Sequence, residues 1–195
     1  MENNRGLRNL QAWAFKYRGG IWTVLFLVIL VLARPVRSRI AAGLVLVAAG
    51  QLLRFWGVGC IRLYRGEEVK AQRLATWGPY ALVRNPLYVA NGLLGLGWAW
   101  MSGWVPTLIF AAVFYVLYGV LIVPYEEAFL SQKFGQEYED YKKSVGRFFP
   151  KSLSRETLAR VRAGSYDASV LKKSEIHSLL VTVVGTILIV SRLWW

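Results

Sequence analysis

The chain has 195 residues, 55% of them hydrophobic, with a net charge of +13 at pH 7 and a mean hydropathy of +0.37. Residues 86–125 contain no Asp, Glu, Lys, Arg or His; one bilayer crossing takes roughly 20 residues, so this run is long enough for two and excludes a soluble fold. The positive charge flanks apolar segments, where Lys and Arg meet anionic headgroups, so nucleic acid is not the expected partner. The single cysteine, Cys60, excludes an internal disulfide and a cysteine-rich metal site.

Four basic residues, Arg5, Arg8, Lys16 and Arg18, precede the first apolar run, about Gly19 to Ala33. That run lacks a small-residue cleavage site and reads as an anchor rather than a removable signal peptide. A second crossing is expected from roughly Ile40 to Cys60, with Gln51 and Arg54 inside it. The third and fourth, Leu87 to Met101 and Trp104 to Pro124, form a hairpin about a turn marked by Ser102, Gly103 and Pro106. Gly92, Gly95 and Gly97 lie within the third with no strand before them. They read as small residues for close helix contact, not as a nucleotide loop. Residues 126–141 form a helix candidate whose Leu130, Phe134, Tyr138 and Tyr141 share one face, with Gly135 interrupting it. That stripe is expected to rest on the bilayer or on the loop above it. Residues 151–175 read as a linker, partly helical, and 176–195 as a fifth crossing opened by an interfacial His177; no metal site is expected. The reading is a single all-α domain, a polytopic membrane protein of about five crossings with a cytoplasmic cofactor pocket.

Orientation follows from the loops. Arg62, Arg65, Lys70, Arg73 and Arg84 lie between the second and third crossings, and ten basic residues lie in 125–175, whereas 102–104 has none. Both large loops are therefore expected on the cytoplasmic side. Arg34, Arg37 and Arg39 conflict with this, unless the first segment is interfacial.

Ionisable residues at a membrane helix end are expensive unless paired or functional. One cluster, Tyr80-Ala81-Leu82-Val83-Arg84-Asn85-Pro86-Leu87-Tyr88, enters the third helix; Pro86 suits its first turn and Asn85 its N-cap. A second, Pro124-Tyr125-Glu126-Glu127, leaves the fourth. The hairpin brings both to one membrane face as a composite polar site. Read singly, Arg84 snorkels to phosphate, Glu126 or Glu127 locks it as an ion pair, and Asn85-Pro86 is a capped helix start. Read together, they make a binding site.

The stretch GPYALVRNPLYVAN, followed one hairpin later by PYEEAFLSQKFGQEYEDYKKSV and RFFP, resembles the signature of the isoprenylcysteine carboxyl methyltransferases and related phospholipid methyltransferases over about residues 72–150. The resemblance implies S-adenosylmethionine as cofactor and methyl transfer to a lipophilic acceptor: a lipid amine, a phospholipid headgroup or an isoprenoid-type molecule. It places cofactor contacts on Gln72, Arg73, Leu74, Ala75, Tyr80, Asn85, Pro86, Leu87, Tyr88 and Glu126, with Glu127 and Arg84 as catalytic candidates. Arg84 is expected to position the acceptor through phosphate or carboxylate. The family histidine is Asn85 here, an amide that hydrogen-bonds but does not titrate. The arginine that prenylcysteine enzymes place near the substrate carboxylate falls on Ile122, which argues against a prenylcysteine acceptor. The fifth segment is additional to the usual ending. The rival readings are an NADPH-dependent reductase of the sterol reductase type and a non-catalytic lipid-binding protein. A prokaryotic inner membrane is the expected location.

Overall fold

The computed structural model describes residues 2–61 and 73–194, so Gln72 and most of the loop before it, with Arg62, Arg65 and Lys70, lie outside the described residues. The elements are α1 (Glu2–Lys16), α2 (Arg18–Val31), α3 (Arg37–Cys60), a 3-10 turn (Gly78–Ala81), α4 (Pro86–Ser102), α5 (Trp104–Phe114), a π-helical stretch (Tyr115–Ile122), α6 (Val123–Phe134), α7 (Gln136–Ser144), α8 (Arg155–Arg162), α9 (Ser169–Ser174) and α10 (Ile176–Ser191). Among the described residues the only pairing of β type is an isolated parallel bridge between Val83 and Gly146. The chain is an all-α membrane protein.

Two helices, Arg37–Cys60 and the continuous rod Trp104–Phe134, are long and apolar enough to cross a bilayer. A third joins them if α1 and α2, bent by 70° at Tyr17, count as one span. α4 has 17 residues and α10 has 16; at 1.5 Å per residue each reaches about 25 Å, somewhat less than a hydrocarbon core of roughly 30 Å. All five apolar segments read from the sequence are thus helical. The fourth does not stop at Pro124. After the π stretch it runs on past Pro124 to Phe134 and ends at Gly135, whose φ of +53° favours glycine. Pro124 has no N–H to offer a carbonyl one turn earlier; Gln11 of α1 donates its Nε2 to Val120 O instead, at 3.3 Å.

α3 and α4 form the centre of the bundle, and small residues let their backbones approach. A Cβ on Gly97 would lie 2.7 Å from Gly43 O, and one on Gly43 would lie 2.9 Å from Gly97 O. α10 closes on this pair through hydrogen bonds from Thr182 Oγ1 to Gln51 Oε1 (2.8 Å) and from Trp98 Nε1 to Thr186 Oγ1 (2.9 Å). At the hairpin turn, Gly103 (φ +122°) ends α4 and opens α5. The Arg39 guanidinium lies over the Trp104 and Trp100 rings there, 4.5 and 5.2 Å from their centroids.

At the other end, the expected stripe packs as the loop-covering alternative had it. Tyr138, Tyr141 and Val145 bury Leu74, with Leu130 and Phe134 against them. Residues 151–175 are more than a linker. Ser154 caps α8 by accepting from Thr157 N (3.2 Å), and α8 packs on the 3-10 turn. Asp167 N donates to Gly59 O (2.8 Å), and the Tyr166 ring sits where a Gly59 side chain would be.

Candidate active site at the head of the hairpin

The start of α4 and the start of α6 meet, as the hairpin requires, but in two separate polar groups. The first is an ion-pair fork. Glu127 Oε1 receives Arg84 Nε and Nη2, both at 2.9 Å, while Glu127 Oε2 receives Arg147 Nη2 at 2.6 Å and Nε at 3.1 Å. The Arg84 and Glu127 side chains are 9% and 7% exposed, and that of Arg147 is 40% exposed. Arg84 Nη1 donates to Val145 O (2.5 Å) and Lys142 O (3.3 Å), so all three guanidinium nitrogens are engaged within the protein. Arg84 N also donates to Gly146 O at 2.8 Å. The fork thus ties the entrance of α4 to the end of α7.

Asn85 occupies the N-cap position of α4, yet its side chain makes no capping bond. Its Nδ2 donates to Arg147 O (3.3 Å) and Glu127 Oε1 (3.4 Å). The expected side-chain cap is therefore corrected: the amide turns its Nδ2 to the carboxylate beside it, a charged acceptor. Pro86 is buried, and Leu87 packs onto α3 at Gly57, where a Cβ would come within 2.8 Å of it.

The second group lies one turn into α4. The Tyr88 side chain lies beside that of Glu126, and its ring lies 4.5 Å from that of Tyr118. Tyr118 is completely buried in the π stretch, with Phe114 at 4.9 Å and Trp22 at 5.9 Å, and Trp22 Nε1 donates to its hydroxyl. Arg18, at the bend between α1 and α2, donates to Phe15 O (2.5 Å) and stacks over the Phe15 ring at 4.1 Å. Its charge acts on Glu126, Tyr88 and Tyr118. Carboxylate, phenol, guanidinium and aromatic faces are thus gathered in one place.

The remaining expected positions line the loop above. Leu74 and Ala75 are buried, Arg73 lies over the Trp77 ring at 5.4 Å, and Tyr80 O accepts from Tyr141 Oη at 2.7 Å. Burial pushes the Tyr141 and Tyr138 phenols well above their ordinary range, which keeps Tyr141 a donor to Tyr80. Sequence reasoning missed Arg18, Trp22, Tyr118 and Arg147. Arg147 had a signal, since it opens the RFFP motif; Tyr118 lies in an apolar run and reads as core.

Residues 38–137, about half of the chain, match the family described as phospholipid methyltransferase. The chain belongs to this family of membrane methyltransferases. Relatives of the chain include two bacterial proteins. It is 31% identical over 175 residues to the nickel-cobalt-cadmium resistance protein NccN of Alcaligenes xylosoxydans xylosoxydans, covering 83% of this chain and 78% of that protein. It is 30% identical over 177 residues to the cobalt-zinc-cadmium resistance protein CzcN of Cupriavidus metallidurans, covering 84% and 78%. It is 39% identical over 82 residues to the protein-S-isoprenylcysteine O-methyltransferase of Schizosaccharomyces pombe, covering 42% of this chain and 34% of the yeast enzyme. No solved structure matches it.

Proposed function

We propose that the chain transfers a methyl group from S-adenosylmethionine to a lipophilic acceptor at the cytoplasmic face of a membrane. The observation that carries this reading is the gathering of Glu126, Tyr88, Tyr118 and Arg18 at the mouth of the hairpin. That donor set fits the cofactor's chemistry. Glu126 and Tyr88 suit its ammonium and hydroxyl groups, Arg18 suits its carboxylate, and the faces of Tyr88 and Tyr118 suit its sulfonium. When bound, the cofactor supplies an electrophilic methyl on a positively charged sulfur.

The residues of the chain have the work of holding donor and acceptor in line and keeping water out. Leu74, Ala75, Tyr80, Asn85 and Pro86 are proposed as the wall on the cofactor side, with Arg73 and Leu87 flanking it. Arg84 and Glu127, braced by Arg147, hold Asn85 and the start of α4 against α6. The fork gives Arg84 a framing role in place of direct reach to the acceptor. Ile122 is fully buried against Ala14 and Phe15 of α1, so the place of the prenylcysteine-reading arginine is filled by packing. This favours a lipid amine, a phospholipid headgroup or a small isoprenoid over a prenylcysteine carboxylate. The basic loops at this end support a cytoplasmic site, and the two bacterial relatives fit a prokaryotic inner membrane. Their names speak of heavy metals; among the described residues no group of three His, Cys, Asp or Glu gathers to hold one.

The test is S-adenosylmethionine binding to purified protein in detergent, wild type against Glu126→Ala. Binding that weakens at least about tenfold in the variant is expected, the loss of one charge-assisted contact. Folded wild-type protein that binds no S-adenosylmethionine overturns the reading, and NADPH is then the ligand to try.

A further inference from the structure

A buried ion pair between α3 and the start of α10 is joined to the candidate site by an unbroken set of contacts. Arg54 Nε and Nη2 meet Glu175 Oε2 and Oε1 at 3.1 and 3.2 Å, with the two side chains 8% and 1% exposed. Arg54 Nη1 donates to Asn91 Oδ1. That bond fixes which way the Asn91 amide faces, and its Nδ2 then donates to Tyr118 Oη at 3.4 Å. Tyr118 Oη also receives Trp22 Nε1, so its oxygen is held from two sides. The ring held in this way is the one against which the Tyr88 ring packs, centroids 4.5 Å apart and planes tilted by 37°, with the Tyr88 side chain beside Glu126.

Ionised groups inside a membrane bundle are costly to bury and are rarely there for packing alone. α10 is already fastened to the bundle by Thr182 with Gln51 and Thr186 with Trp98, about two and three turns further along. Fastening alone therefore does not account for a carboxylate on Arg54. We propose that Glu175, which lies beyond the residues matched to the family, is a positioning residue for the cofactor site, acting through Arg54, Asn91 and Tyr118 on Tyr88 and thereby on Glu126. The inference rests on the methyltransferase reading. It makes the C-terminal segment part of the site's framework, so α9 and α10 are needed for cofactor binding.

The experiment measures S-adenosylmethionine affinity and thermal midpoint on detergent-solubilised full-length protein for wild type, Glu175→Gln, Tyr118→Phe and Thr182→Val. Glu175→Gln and Tyr118→Phe are expected to weaken binding about tenfold, a typical coupling between linked sites. Thr182→Val loosens α10 away from the relay and should lower the midpoint while leaving the affinity unchanged. A clamp with no link to the site predicts lower midpoints and wild-type affinity in all three variants, which overturns the inference. If Glu175→Gln does not fold, Tyr118→Phe decides: it keeps the ring and the ion pair, and wild-type affinity in it defeats the relay. Wild type that fails to bind at all defeats the methyltransferase reading instead, so the two failures are distinct.

Discussion

Removing the acceptor end of the fork tests how the two arms of Glu127 share the load. Glu127→Gln keeps the shape but leaves Arg84, 9% exposed, without its counter-charge. Breaking a buried pair by removing one partner costs about 3–5 kcal/mol, because the remaining charge stays buried and unpaired. Arg147→Ala removes the other arm, whose side chain is 40% exposed; solvent screening holds that loss to about 0–1 kcal/mol. For a chain of this length each kcal/mol moves the midpoint roughly 2–4 °C, so about 6–20 °C is expected for Glu127→Gln and at most about 4 °C for Arg147→Ala. The assay is thermal unfolding in detergent followed by far-ultraviolet circular dichroism. Equal shifts for the two variants, or a shift under about 4 °C for Glu127→Gln, would refute the idea that Arg84 depends on this carboxylate.

The geometry sets three further outcomes. Gly97→Ala drives a methyl group to within 2.7 Å of Gly43 O and should destabilise the bundle by about 1–3 kcal/mol, read as a lower unfolding midpoint; an unchanged midpoint would mean that α3 and α4 part without cost. Gln11→Ala leaves Val120 O without its donor and should cost about 1 kcal/mol, and Gln11→Glu should restore nothing, since an ionised carboxylate cannot donate. The Tyr138 and Tyr141 phenols are raised by burial, so the folded state holds their protons more tightly than the unfolded chain. Stability from these groups is full below a pH of about 10, the ordinary tyrosine value, and falls as pH rises above it. Midpoints measured between pH 8 and pH 11 should drop more steeply above pH 10 in wild type than in Tyr138→Phe/Tyr141→Phe.

The hairpin, its turn at Gly103 and the convergence of Asn85 with Glu127 were legible because an uncharged run between two polar clusters leaves the chain little choice. The Leu130 to Tyr141 stripe and its break at Gly135 were legible from helical spacing alone. Other features were not. Arg54 and Glu175 stand 121 residues apart, and nothing local in either links them. Tyr118 reads as one more aromatic in an apolar helix until Trp22 and Asn91 are seen to hold its hydroxyl. Arg18 reads as a flanking anchor, because nothing local announces the bend between α1 and α2 or its seat on Phe15. Local pattern reports periodicity and charge; it does not report which distant helix fills the space beside a side chain.

The π-helical stretch Tyr115–Ile122 sets the rotational phase of α6. Bonds closing at i→i+5 rather than i→i+4 lodge an additional residue in the turn, the usual trace of a single insertion into an α-helix. Rewinding the same residues as regular α-helix would swing α6 by about 100° relative to Phe110, the rotation of one residue. Glu126 and Glu127 would then leave the faces on which they meet Tyr88 and Arg84, though every residue of both clusters would still be encoded. Within this rod, the winding of the backbone between Tyr115 and Ile122 decides where Glu126 and Glu127 point.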